Sequence, residues 1–180
     1  ASAIVAFVTT MLATCTGILG WLVIERIKSG HVTALGLASG AIAGLVGITP
    51  ACAFVGPIGA LIIGFISAIG CYYAITVLKK KLNTDDALDV FALHGIGGII
   101  GCILTGIFCI PELGGKVEGV EIIPQVTAQI ASIIVTLIYS GVVTWIIMKI
   151  VDKTIGLRAS NDAEQKGLDI SDHNERAYNN

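Results

Sequence analysis

The stretch LNTDDALDVFALHGIGGIIGCILTGIF, residues 82–108, carries a single histidine, His94, inside a long apolar and glycine-rich run. Three aspartates, Asp85, Asp86 and Asp89, precede that run. A titratable side chain at membrane depth is energetically costly, and it usually faces the interior of a helix bundle or a cavity. The stretch therefore predicts a membrane helix that holds a functional residue.

The composition of the whole chain indicates the same class of protein. Hydrophobic residues make up 54% of the sequence and charged residues only 13%, whereas soluble domains average about 25% charged residues. The charges cluster in short islands, and the uncharged stretches between them match the roughly 20 residues that cross a bilayer. No ten-residue segments of alternating polarity suggest a β-barrel. We expect an all-α polytopic membrane protein.

Five membrane helices are predicted in a transmembrane region that covers residues 1–156. Their approximate ranges are 2–25, 33–54, 57–78, 87–109 and 122–151. Pro50 should kink or stop the second helix, and Thr84 or Asp85 should cap the fourth. Residues 157–180 lose the apolar pattern and are predicted to form a cytoplasmic tail, flexible or docked on a partner.

The basic residues predict the orientation of these helices. Of the 11 lysines and arginines, Lys116 alone falls on one side of the predicted membrane. The others follow the first, third and fifth helices: Arg26, Lys28, Lys79, Lys80, Lys81, Lys149, Lys153, Arg158, Lys166 and Arg176. Because cytoplasmic loops are enriched in basic residues, the N-terminus should lie outside and the C-terminus in the cytoplasm.

Several function classes find no support in the sequence. The net charge is −2 and no basic patch indicates nucleic-acid binding. The five cysteines form no C-x-x-C pair or Cys/His cluster, so neither a metal site nor a disulfide framework is indicated. No nucleophile–base pair or phosphate-binding loop appears. We expect neither an enzyme nor a cofactor.

Small residues recur at helical spacing and predict how the helices pack. Lipid-embedded helices gain little from hydrophobic burial against each other, so close approach through small side chains holds them together. Two such series are Gly36, Gly40 and Gly44, and Gly97, Gly101 and Thr105. The same glycines are also compatible with a narrow conduit beside the backbone.

His94 is expected near the middle of the membrane, about ten residues or 15 Å past the start of its helix. A low-dielectric surrounding disfavours the charged imidazolium, and the neutral ring keeps one donor and one acceptor nitrogen for a proton or a small polar guest. The alternative is a core histidine bonded to a backbone carbonyl. Asp89 either stabilises the helix start or orients neighbouring backbone or a ring.

Long segments of the chain resemble the ammonium transporter family (Amt/Mep/Rh), on its bacterial Amt branch. They include SGAIAGLVGITPACAFVGPIGALIIG, DDALDVFALHGIGGIIGCILTGIF, YSGVVTWIIMKIVDKTIGLR and EQKGLDISDHNERAY. Members of this family have eleven membrane helices in an inverted-repeat fold and assemble as trimers. The resemblance places this chain in the C-terminal half, helices seven to eleven plus the tail.

The resemblance implies roles for particular residues. His94 corresponds to the second member of the twin-histidine pair in the middle of the pore. Ile42 and Val90 correspond to apolar pore-lining positions, and Thr49 to a position near the outer side of the pathway. Asp86 corresponds to a structural acid. The first histidine and the outer ammonium site belong to the N-terminal half of the family.

The function implied is transport of ammonium or ammonia through a narrow hydrophobic pore in the cell (inner or plasma) membrane. The expected partners are membrane lipid, the N-terminal half of the transporter, two further copies in a homotrimer, and a PII signalling protein at the cytoplasmic face. The alternative function is an ammonium sensor that recruits a PII regulator. We expect no nucleic acid as a partner.

Overall fold

The computed structural model describes residues 2–83 and 85–176, and within them the chain is helical with no β-strand. Contacts divide the chain into two units, one ending at Ile134 and the other beginning at Val135. The all-α class predicted from composition is confirmed.

The described residues contain seven helices. They are α1 (Ser2–Ser29), α2 (Ala34–Ile48), α3 (Pro57–Leu82), α4 (Phe91–Phe108), α5 (Ile122–Thr154), α6 (Asn161–Lys166) and α7 (Leu168–Ser171). Two stretches are wound as π-helix, Ala74–Leu78 within α3 and Phe91–Ile96 at the start of α4. A short 3₁₀ turn, Pro111–Leu113, follows α4.

Four of these helices, α1, α3, α4 and α5, are long and apolar enough to cross a membrane. The second predicted span, 33–54, is too long at its C-terminal end, because α2 has only 15 residues and ends at Ile48. Pro50 has no N–H to continue the helical hydrogen bonds. The chain instead forms turns, in which the amides of Ala51 and Cys52 both donate to the Ile48 carbonyl.

The first three helices pack through backbone contacts that only glycine allows. A Cβ on Gly17 would stand 2.5 Å from the carbonyl oxygen of Gly40. A Cβ on Gly44 or on Gly64 would overlap the carbonyl oxygen of Ala13. These contacts bring α1, α2 and α3 together at backbone distance, as the glycine spacing predicted.

The fourth helix packs against α2 and α3 in the same way. A Cβ on Gly101 would overlap the carbonyl oxygen of Gly47. One turn earlier, a Cβ on Gly97 would meet only side-chain atoms, Cys71 Sγ at 3.1 Å and Val46 Cγ1 at 3.3 Å. The α2–α4 contact is therefore closest at Gly101 and opens slightly toward the start of α4.

A side-chain hydrogen bond ties α1 to the turns that follow α2. The hydroxyl of Thr9 is fully buried and lies 2.7 Å from the carbonyl oxygen of Cys52. It also lies near carbonyls of its own helix, at 2.9 Å from Val5 O and 3.1 Å from Ala6 O. One hydroxyl proton serves one acceptor best, and the shortest contact is the one between helices.

The second unit contains the rest of α5 and the two short helices of the predicted tail. The Ser160 side chain accepts a hydrogen bond from the Ala163 amide and caps α6. Arg158 donates from Nε and Nη2 to the two oxygens of Glu164, at 2.7 Å and 2.9 Å. The hydrogen bond from Arg158 lowers the pKa of the Glu164 carboxyl. Gly167 ends α6 with φ of +92°, a conformation that favours glycine.

Two glycines of α3 provide a matched test of the backbone packing. In the intact protein, Gly64→Ala should lower the free energy of unfolding by about 1–3 kcal/mol, because its Cβ would meet a backbone carbonyl that cannot move aside. Gly59→Ala should cost less, since its Cβ would meet Phe108 Cβ at 3.1 Å and Val55 Cβ at 3.3 Å. Thermal unfolding in detergent measures both. Equal losses for the two variants would contradict this account of the packing.

Candidate pore site

His94 is the fourth residue of α4 and its side chain is exposed on the surface of this chain. The two residues before it, Ala92 and Leu93, are 4% exposed and face the packed helices. Within the described part of the chain, no hydrogen bond involves the His94 imidazole. The alternative of a core histidine bonded to a backbone carbonyl is therefore not realised inside this chain.

The expected distance of His94 from the start of its helix was wrong. The helix begins at Phe91 and not near residue 85, so His94 lies one turn from its start. Packing against α3 relates its position to that of a long apolar helix. The Leu93 carbonyl lies 3.8 Å from Cys71 Sγ, and Cys71 is near the middle of α3. His94 is therefore level with the middle of a long apolar helix.

The predicted pore-lining residues lie on faces that this chain leaves uncovered. Val90 is 50% exposed and precedes His94 by one helical turn. Ile42 is 38% exposed, and Thr49, the exposed residue that directly follows α2, lies seven residues further along the chain. The Thr49 hydroxyl donates to the carbonyl of Leu45, in the last turn of α2, at 2.7 Å. The contacts that hold α2 to α4 are made by other residues.

The carboxylate of Asp86 accepts hydrogen bonds from the amides of Val90 and Phe91, both at 2.9 Å. These amides have no partner in the first turn of a helix, so the contact stabilises the start of α4. The same two bonds, led by the one from Phe91, lower the pKa of Asp86 below its ordinary value of 3.8. Of the predicted caps, Thr84 lies outside the described residues and Asp85 is exposed, and Asp86 carries this contact.

Asp89 is paired with a lysine that the sequence did not single out. Its Oδ1 lies 2.7 Å from Nζ of Lys79, and both side chains are partly buried. Asp89 has φ of +56°, and its carbonyl accepts the amide of Leu93 at 2.9 Å. A left-handed conformation is uncommon outside glycine but is tolerated by Asp and Asn. Asp89 thus lies two residues before α4, and its carbonyl accepts a hydrogen bond from the third residue of that helix.

No group of three His, Cys, Asp or Glu side chains in the described part of the chain is close enough to form a metal site. Before α4, the carboxylate of Asp86 is engaged by backbone amides and that of Asp89 by Lys79. The chemistry available at the ring is hydrogen bonding and proton exchange through its two nitrogens.

The fold defined by these contacts is that of a multi-pass helical membrane protein with a glycine-packed bundle. Over residues 1–178 the chain matches the model of the Ammonium Transporter Family, and it belongs to that family. It is 42% identical to an ammonium transporter of Aquifex aeolicus over 99% of this chain, which is 42% of that protein. It is 43% identical to an ammonium transporter of Bacillus subtilis, covering 98% of this chain and 44% of the relative. The chain thus spans about two fifths of these relatives.

Solved structures agree with this assignment. The crystal structure of Saccharomyces cerevisiae Mep2 matches with a TM-score of 0.80 and 38% identity, over 89% of this chain and 38% of that one. A structure described as a sensor Amt protein matches with a TM-score of 0.86 and 26% identity, over 96% of this chain and 42% of that one. The resemblance noted from the sequence is confirmed.

The cap at the start of α4 can be tested by hydrogen exchange in the intact protein. Asp86→Ala should speed exchange of the Val90 and Phe91 amides by about ten-fold, because both lose their acceptor. Because the folded-state pKa of Asp86 is lowered, its contribution is complete above pH 3.8 and is lost as the pH falls through the lower value. Asp85→Ala is the control, and equal effects of the two variants would refute the cap.

Proposed function

We propose that the complete protein conducts ammonium or ammonia across the membrane, and that His94 is the pore group of this half that handles the proton or the polar guest. The observation that carries this proposal is the accessible imidazole, free of hydrogen bonds within the described chain, level with the middle of an apolar helix. Ile42 and Val90 are the proposed apolar lining, and Thr49 the proposed outer polar position. Membership of the family supports the substrate.

Solvation energetics favour a mechanism in which the proton and the nitrogen are handled separately. Moving an intact cation into an apolar passage without compensating contacts is prohibitively expensive. Ammonium can give up its proton and cross the apolar passage beside Ile42 and Val90 as neutral ammonia. Potassium has no proton to lose and is rejected. A neutral imidazole at His94 can accept or return that proton, because it carries one donor and one acceptor nitrogen.

The proposal requires a second wall for the pore. Exposed residues on or directly beside α2 and α4 are the proposed lining: Ile42, Thr49, Val90 and His94. The chain matches only about two fifths of its relatives. We propose that the N-terminal half of the transporter packs over these residues, and that three such complete subunits form a homotrimer. The first loop, the third loop and the C-terminus are proposed to be cytoplasmic, from the distribution of lysine and arginine.

The central test is the variant His94→Ala in the intact transporter. Uptake of labelled methylammonium should fall by about 10²-fold, or the potassium leak should rise, because a positioned proton-handling group is removed. Trimer assembly and thermal stability should change little, since the ring makes no hydrogen bond to described residues. Size-exclusion chromatography and proteoliposome uptake measure the two effects.

His31→Ala is the matched control, because His31 is exposed and bonds locally to the Ser29 carbonyl at 2.9 Å. It should leave uptake and selectivity unchanged. If His94→Ala keeps wild-type uptake, ammonium current and potassium exclusion, the proposed role of His94 is refuted.

A sensor that recruits a PII signalling protein through its cytoplasmic face is the second candidate function. The structural similarity to a sensor Amt protein favours it. Deleting residues 157–180 from the intact protein separates the candidates. If the protein is primarily a sensor, binding of a purified PII protein and the downstream ammonium response should be lost while His94→Ala leaves both intact. If the protein is primarily a transporter, His94→Ala should abolish the downstream ammonium response.

A further inference from the structure

The ion pair between Lys79 and Asp89 lies between two π-helical stretches. Lys79 directly follows the π-helical part of α3, Ala74–Leu78. Asp89 precedes the π-helical part of α4, Phe91–Ile96, with only Val90 between them. Their contact at 2.7 Å leaves 31% of the Lys79 side chain and 23% of the Asp89 side chain exposed. The pair therefore joins the end of one long helix to the start of the next.

The backbone of Asp89 connects this pair to the helix that carries His94. Its carbonyl accepts the Leu93 amide at 2.9 Å, which is the first helical hydrogen bond before the histidine. Its left-handed φ of +56° aims the chain into α4, and such a conformation persists only when its surroundings hold it. The ion pair holds the side chain of this same residue. A shift of Asp89 would therefore move the turn on which His94 sits.

Neighbouring lysines do not share this arrangement. Lys80 and Lys81 are exposed, and neither has an ion pair within the described residues. Exposed pairs contribute little, but a short and partly buried pair leaves an uncompensated charge when one partner is removed. The three adjacent lysines thus differ in their ion pairing within the described residues, although the sequence shows them as one basic run.

We propose that Lys79 is a positioning residue for transport: by its ion pair with Asp89 it clamps the start of α4 to the end of α3 and holds His94 in its working place. This inference rests on the proposed function of His94. Lys79 acts on the histidine through Asp89 and the first turn of α4, and it does not itself contact the guest.

The test uses Lys79→Gln, Lys79→Arg and Asp89→Asn in the intact transporter, with Lys80→Gln as the matched control. Lys79→Gln and Asp89→Asn should each lower the maximal methylammonium uptake rate by about ten-fold with KM little changed, because a misplaced pore group costs rate. Asn keeps the left-handed backbone of Asp89 accessible. Lys79→Arg should retain most of the uptake, and Lys80→Gln all of it. The double variant Lys79→Gln/Asp89→Asn should be no worse than either single variant.

The variant pair with His94→Ala distinguishes positioning from general stability. If Lys79 acts through His94, Lys79→Gln should cause no further loss of residual uptake in the His94→Ala background. The same fractional loss in both backgrounds would overturn the inference and leave the proposed function standing. Wild-type uptake in Lys79→Gln, or a loss in Lys80→Gln as large as that in Lys79→Gln, would also overturn it. Wild-type transport in His94→Ala would refute the proposed function first, and with it this inference.

Discussion

The contact between the backbones of Gly47 and Gly101 determines how α4 is placed against α2. Gly101 cannot carry a Cβ, because it would overlap the Gly47 carbonyl oxygen, and a Cβ on Gly47 would overlap the Ser67 side chain of α3. In lipid, where apolar side chains gain nothing from leaving water, this close approach supplies the packing energy that holds two helices together. Once it forms, the rotation of α4 about its axis is set, and Leu93 and Gly97 turn inward while His94 turns outward.

The same constraint explains why the candidate pore residues are uncovered. On α2, Ala43 and Gly47 are buried, whereas Ile42 and Thr49, the residue directly after α2, are exposed. The result is an apolar face with one imidazole that the glycine-packed bundle leaves uncovered. In the function we propose, it is one wall of a passage whose other wall comes from the N-terminal half of the transporter.

Composition and glycine spacing were sufficient to predict the fold class and the tight packing, because both depend on local sequence. The end of α2 was placed too late, although Pro50 marked it, since the apolar run continues through turns to Val55 and only hydrogen bonding separates turn from helix. The start of α4 was placed too early. Asp86 reaches forward over four and five residues to cap Val90 and Phe91, and no sequence pattern distinguishes that reach from an ordinary cap at residue 85.

The partner of Asp89 could not be predicted from the sequence, for a related reason. Lys79 lies ten residues earlier, on another helix and across a loop, and it stands in a run of three lysines that are equivalent as letters. Only the path of the loop decides which of them meets the carboxylate. The Lys79–Asp89 pair forms only in the folded chain. It is informative about mechanism because it shows that the end of α3 and the start of α4 are held at a fixed distance from each other.

These contacts together fix the position of His94 without a hydrogen bond from the described residues to its ring. Beyond His94, Gly97 and Gly101 fix α4 against Cys71 and Gly47. Before it, the carboxylates of Asp86 and Asp89 fix the first turn. The ring lies between these two anchored regions, and no described residue hydrogen-bonds to it. Its position is thus maintained by the backbone, and both nitrogens stay available, which is the condition a proton-handling group must meet if it is to bind a guest and release it.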